Sequence, residues 1–222
     1  MKYIIKEIID LFFPKKCFSC GKYSEDYICK NCYLKIEFIS LYQSFPNKYL
    51  NGLFSATLYS GVIRDLIHKL KYNNRRSVSK PLSCIMSSFF KKEIHGKYFF
   101  ECIIPVPLHR TRYRKREYNQ TLLISEKISR DFGIPIEEKL LIKIKDTKEQ
   151  NKLSREERFL NQKDSFKINK DNTKYGSVLI VDDIYTTGAT SYECAKTLKS
   201  GGIKEVYLLT LSVRKAESLC RQ

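Results

Sequence analysis

The chain has 222 residues, 42% hydrophobic and 13% aromatic, enough apolar matter to bury a core and to exclude global disorder. Its 29% of charged residues, with no apolar run of about 18 residues, exclude a membrane span. Lys and Arg number 41 against 24 Asp and Glu, and the net charge of +17 favours polyanionic partners: nucleic acid, phosphorylated metabolites or an anionic surface.

In chain order, Ile4, Ile5, Ile8, Leu11 and Phe12 recur at helical spacing and predict a short amphipathic helix over residues 1–13. Lys6, Glu7 and Asp10 interrupt the apolar run and no small-residue cleavage site follows, so the segment does not read as a signal peptide and the protein is expected in the cytoplasm. Packing on the body of the protein is favoured over membrane contact, because few cations flank the apolar face.

Cys17-Phe-Ser-Cys20 and Cys29-Lys-Asn-Cys32 are two CxxC pairs whose tight turns can bring four thiolates to one tetrahedral zinc ion. Disulfides are the weaker reading without a secretory signal. Four cysteine ligands leave no open position, so the zinc is structural. Cys84, Cys102, Cys194 and Cys220 read as small buried hydrophobes.

Residues 33–50 are mixed and contain Pro46 and Asn47, which places a boundary near Asn51 and divides the chain into 1–50 and 51–222. Beyond it come an apolar stretch from Leu53 to Tyr59 and a helix from Val62 to Tyr72. A polar turn at 73–76 leads to a helix from Lys80 to Lys92, then a strand from Cys102 to Val106. A helix from Asn119 to Phe132 and a strand from Leu140 to Ile144 follow. Lys145 to Thr173 is polar and predicts a long mobile loop. The chain closes with a strand from Val178 to Val181, a helix from Thr190 to Ser200 stopped by Gly201-Gly202, and a strand from Val206 to Leu211. Strands separated by helices predict an α/β fold, a mainly parallel sheet with helices on both faces and a small amino-terminal zinc module.

Val178-Leu-Ile-Val-Asp-Asp-Ile-Tyr-Thr-Thr-Gly-Ala-Thr190 carries the most chemistry. A buried strand delivers Asp182 and Asp183 to its carboxyl end, where ligands of open α/β sheets bind. The next helix then opens with free N–H groups and the positive end of its dipole, which suit a phosphate. Gly188 allows close backbone approach and the threonine hydroxyls add donors. Two carboxylates would repel a phosphate, so they fit sugar hydroxyls or a hydrated Mg²⁺ carried with the ligand. The pattern asks for a sugar phosphate.

These residues resemble the 5-phosphoribosyl 1-pyrophosphate motif of the type I phosphoribosyltransferases. The resemblance implies that Asp182 and Asp183 hold the ribose hydroxyls and that the following loop, Tyr185, Thr186, Thr187, Gly188, Ala189 and Thr190, holds the 5-phosphate. Two further segments, Tyr59-Ser-Gly-Val-Ile-Arg64 with Leu66-Ile-His-Lys-Leu-Lys-Tyr72, and Ile103-Ile-Pro-Val-Pro-Leu-His-Arg-Thr-Arg-Tyr-Arg-Lys-Arg-Glu-Tyr-Asn-Gln120, join the paired CxxC motif and the phosphate loop in resembling the ComF competence family. Gln150, Leu153, Arg158, Asn161 and Phe166 also fall at family-like positions. The chain departs from the family at Glu117-Tyr118, where Gly-Phe is usual, and at Asn74, where Gly is usual.

Family order makes Pro107, Leu108, His109 and Arg110 candidates for the pyrophosphate, with Lys71 and Tyr72 as a second possibility. Cations interleaved with tyrosines also suit single-stranded DNA: Lys69, Lys71, Tyr72, Arg75, Arg76, Arg110, Arg112, Tyr113, Arg114, Lys115 and Arg116. The charge is concentrated there, with 16 Lys and Arg against 5 Asp and Glu over residues 64–130. The resemblance implies DNA uptake in natural transformation, beside a competence translocase or helicase and a DNA-processing protein at the inner face of the membrane, without stable insertion. The competing reading is a transferase that moves phosphoribosyl from phosphoribosyl pyrophosphate, with Mg²⁺, to a small acceptor.

Overall fold

The computed structural model describes residues 15–147, 154–169 and 174–214. The amphipathic segment expected over residues 1–13, together with Gln150, Leu153 and Cys220, lies outside them.

Strand β1 (Phe38–Asn47) and β2 (Leu50–Leu58) form an antiparallel hairpin at the edge of a five-stranded sheet. Helices α2 (Gly61–Tyr72) and α3 (Ser79–Glu93), preceded by the single helical turn α1 (Lys30–Tyr33), lead to β3 (Cys102–Pro105) at the opposite edge. The short helix α4 (Arg110–Arg116) and α5 (Gln120–Phe132) follow, then β4 (Leu141–Lys143), α6 (Arg155–Gln162) and β5 (Phe166–Ile168). The chain re-enters the sheet as β6 (Ser177–Tyr185), crosses through α7 (Ala189–Ser200) and ends as β7 (Glu205–Val213). The order is β1-β2-β7-β6-β3, parallel from β2 to β3, so the mainly parallel, helix-flanked class is the one found.

The period of two along β6 explains the two cores. Leu179 and Val181 pack with Leu66, Leu70, Met86, Phe90 and Ile124 from α2, α3 and α5, while Val178 and Ile180 pack with Cys194, Ala195 and Leu198 of α7. Cys17, Ile28, Cys32 and Ile36 of the cysteine module join the first core.

Tertiary pairing corrects four expectations. β1 arises from the mixed segment 33–50 because β2 offers it a partner, with Tyr42 opposite Phe54; the hairpin thus crosses position 51. Segment 145–173 is not simply a mobile loop: it contains α6, begun by a capping box between Ser154 and Glu157, and β5, which pairs with β4. β6 runs four residues past Val181, because Asp182, Ile184 and Tyr185 pair with Thr210, Ser212 and Val213 of β7. Cys84 is exposed on α3, whereas Cys102 and Cys194 are buried as expected.

The basic stretch after β3 is helical. His109 accepts the Thr111 N–H at 3.4 Å at its start, and Glu117 ends it at φ +66°. Asn74 stands at φ +48°. Both positions where the family usually has glycine therefore keep the left-handed backbone after the side chain has changed.

Candidate functional site

The carboxyl end of β6 opens on a cavity of about 470 Å³. Asp182, Asp183, Thr186 and Thr190 line one wall, where α7 begins at Gly188 with φ +80°. A Cβ at Gly188 would stand 2.7 Å from the Tyr185 hydroxyl oxygen, so the tight turn needs glycine for space as well as for its backbone.

The acidic pair is divided. Asp183 is 3% exposed; its Oδ1 pairs with Lys71 Nζ at 2.8 Å and its Oδ2 accepts from Gln120 Nε2 at 3.0 Å. Arg116 donates to Gln120 Oε1, and its guanidinium lies 5.9 Å from the centre of the Tyr72 ring. The Tyr118 hydroxyl donates to the Leu70 carbonyl at 2.6 Å. The ends of α2 and α4 and the start of α5 are thereby gathered around one carboxylate. Asp182 is only half-buried and its Oδ1 accepts the Asp183 N–H at 2.8 Å. Burial, reinforced by the adjacent Asp183 charge, pushes Asp182 up to about 7. Burial works to lower Lys71, but the Asp183 charge and hydrogen bond outweigh it and hold Lys71 above the usual lysine value.

Of the residues singled out in the sequence, Lys71, Tyr72, Pro107, Leu108, Arg112, Lys115 and Arg116 line this cavity with Asp182, Asp183, Thr186 and Thr190, whereas Tyr185, Thr187, Gly188 and Ala189 are not in its lining. Arg110, Tyr113 and Arg114 are exposed on α4, since a helix of period 3.6 cannot turn every cation inward. Arg76 is exposed beyond α2, and His109 stands 3.7 Å from Asp146. Lys69 points elsewhere, with its ammonium donating to the carbonyls of Phe18 at 2.6 Å and Ser19 at 3.1 Å, inside the first CxxC turn. Arg75 lines a groove beside that turn.

Lys143, Arg158, Gln162 and Arg214 also line the cavity, and Gln120 with them. Arg158 and Gln120 appear in the family-like motifs; Lys143 and Arg214 carry no local signal, because β4, α6 and the end of β7 meet here only through the fold. In total seven cations face two carboxylates around this cavity. Burial and the nearby Arg112 charge lower Lys143 to about 8.

At the other end of α2, the sulfurs of Cys17, Cys20, Cys29 and Cys32 all lie within 4.8 Å of one another, with Cys20 and Cys29 3.8 Å apart. Four thiolates at about 2.3 Å from a tetrahedral zinc stand about 3.8 Å apart, so the cluster fits such an ion. Burial raises the Cys17 thiol, but N–H groups, among them that of Cys29 at 3.3 Å, bring it down to about 6 and prepare it as a thiolate ligand. The four cysteines can hold a metal such as zinc. Among the described residues no helix is long and apolar enough to cross a membrane.

No protein-family model matches the chain. It is 33% identical over 151 residues to Competence protein F of Haemophilus influenzae, covering 66% of each chain. It is 28% identical over 149 residues to Competence protein ComFC of Bacillus subtilis, covering 67% of this chain and 58% of that one. It is 28% identical over 161 residues to the DNA utilization protein YhgH of Escherichia coli, covering 72% and 70%. The matched stretch thus spans between 58% and 70% of the length of these relatives. Among solved structures, a glutamine phosphoribosylpyrophosphate amidotransferase from Bacillus subtilis, complexed with ADP and GMP, superposes with a TM-score of 0.43 at 18% identity, over 64% of this chain and 30% of that one. The adenine phosphoribosyltransferase of Thermoanaerobacter pseudethanolicus gives 0.39 at 16%, over 84% and 99%. At such scores the fold class rests on the strand order and the two helical layers described above.

Proposed function

The chain belongs to the ComF family of competence proteins, and from that premise we propose that it serves natural transformation by binding phosphoribosyl pyrophosphate in the cavity at the end of β6 and single-stranded DNA on the basic surface around it. The observation that carries this reading is the cavity itself, where seven cations, two carboxylates and a helix start converge.

The 5-phosphate is assigned to the loop from Thr186 to Thr190, and the ribose hydroxyls to Asp182. Asp183 is occupied by Lys71 and Gln120, which makes it a positioning residue. It holds Lys71, with Arg116 and the Pro107-Leu108 turn, where the pyrophosphate carries its charge. Mg²⁺ accompanies the pyrophosphate. Exposed Arg110, Tyr113 and Arg114, with Arg75 and Arg76, extend the basic surface outside the cavity and suit a strand whose phosphates meet cations and whose bases stack on tyrosine. The cysteine module of residues 15–36 bears the zinc and sits on a body that begins with β1, working in the cytoplasm with a translocase and a DNA-processing protein.

Calorimetric titration of phosphoribosyl pyrophosphate with Mg²⁺, with and without a short single strand, tests both ligands and their coupling. Binding of the metabolite should vanish when Asp182 and Asp183 are both changed to Asn, and retained binding would sink the site assignment. Reversing the charges of Arg110 and Arg114 should weaken strand binding and flatten its salt dependence, by a log–log slope of about 0.7 per lost phosphate contact. Pyrophosphate release in the presence of candidate bases or amines would turn the binding site into that of a transferase.

A further inference from the structure

We propose that the wall of the cavity built by α4, β4 and α6 is a second anion subsite, which takes a phosphate or carboxylate group of a ligand bound beside phosphoribosyl pyrophosphate. This inference rests on the reading above for the identity of the first ligand.

The cavity has three groups of anion-binding features. One is the loop from Thr186 to Thr190, and another is Lys71 with Arg116 beside Asp183. The two phosphate-bearing ends of phosphoribosyl pyrophosphate occupy these. The third group, Lys143 with Arg112, is held only by neutral hydrogen-bond partners, the Asp182 and Asp146 charges acting on Lys143 through space. Lys143 Nζ lies 3.2 Å from Gln162 Oε1, and Gln162 Nε2 donates to Thr147 Oγ1 at 3.3 Å. The Thr147 carbonyl in turn accepts from an Arg112 terminal nitrogen at 2.5 Å.

Gln162 is 1% exposed and Thr147 6%, so a buried polar chain fixes a cation at each end of itself, both at the cavity surface. The oxygens that hold these cations are neutral, an amide and a backbone carbonyl. Holding two like charges on a partly buried wall costs stability, and an anion between them removes that cost. Arg158 from α6 and Arg214 after β7 line the same cavity and add to the positive field. The amide of Gln162 matters because a carboxylate there would pair with Lys143 internally; the wall is built to leave its charge for a ligand.

The anion can come from a small acidic molecule or from a strand phosphate, which share this chemistry. The test uses the full-length, zinc-loaded chain saturated with phosphoribosyl pyrophosphate and Mg²⁺, and titrates inorganic phosphate by calorimetry. A further binding event is expected, weakened at least tenfold in Lys143→Met and weakened more than the affinity for phosphoribosyl pyrophosphate. Gln162→Glu, which supplies the wall with its own carboxylate, should give the same loss in a variant that keeps the buried network. In a second arm a short single strand replaces phosphate: weakening in Lys143→Met assigns the anion to the strand, and unchanged strand affinity assigns it to a small molecule. Absence of the further event, phosphate binding unchanged in both variants, or an equal loss of phosphoribosyl pyrophosphate affinity would overturn the subsite. If phosphoribosyl pyrophosphate itself fails to bind, the functional reading above falls. The same two variants titrated with phosphate on the unliganded chain then decide the subsite separately.

Discussion

Replacing Lys71 by Met removes one partner of the ion pair that ties α2 to β6. Its ammonium is 2.8 Å from Asp183, with side-chain exposures of 19% and 4%. Breaking a fully buried pair costs about 3–5 kcal/mol, because the surviving charge stays desolvated. Here Lys71 still reaches the cavity water, and Gln120 continues to donate to Asp183 at 3.0 Å, so about 2–3 kcal/mol is expected. For a chain of this length that lowers the melting temperature by roughly 4–10 °C. Asp183→Asn should cost a similar amount. The double variant should cost clearly less than the sum, with a coupling of about 1–2 kcal/mol, since neither charge is then left alone. Urea unfolding of the zinc-loaded proteins measures all four corners of the cycle. Strict additivity, within about 0.5 kcal/mol, would refute the claim that Asp183 is chiefly engaged with Lys71.

Asp182 stands at about 7 in the fold against 3.8 for a free aspartate, so folding favours its protonated form. That contribution to stability is full below about 4 and is lost as pH rises through about 7. Wild-type stability should therefore fall by roughly 1.5 kcal/mol between pH 6 and 8, a range in which zinc thiolates stay loaded. Asp182→Asn should show a flatter profile and greater stability at pH 8, at the expense of ligand binding; parallel profiles in urea would contradict this. Glu117→Gly removes a left-handed strain of about 1–2 kcal/mol and adds back up to about 1 kcal/mol of chain entropy, so the melting temperature should rise by one to a few degrees. A lower melting temperature would show that the glutamate side chain contributes more than its backbone costs. Cys20→Ser should abolish stoichiometric zinc in a colorimetric assay and expose residues 15–36 to limited proteolysis, while full zinc retention would exclude Cys20 as a ligand.

The sequence by itself determined those features whose physics is local. Paired CxxC spacing fixes which sulfurs can meet, and the run of apolar residues before Asp182, with Gly188 six residues on, fixes a strand, a turn and a helix start in that order. The amphipathic periods of α2, α3 and α5 likewise write their core faces into the chain. Only the tertiary structure decided what each charge touches. Lys69 and Lys71 are two residues apart on one helix, yet one holds carbonyls of a cysteine turn and the other a buried carboxylate, because period 3.6 sends them to different sides. β5 and the last four residues of β6 needed partners from distant sequence before they could be strands. Lys143 and Arg214 became cavity residues in the same way. A side chain's neighbours across the fold are set by packing, and no window of local sequence contains them.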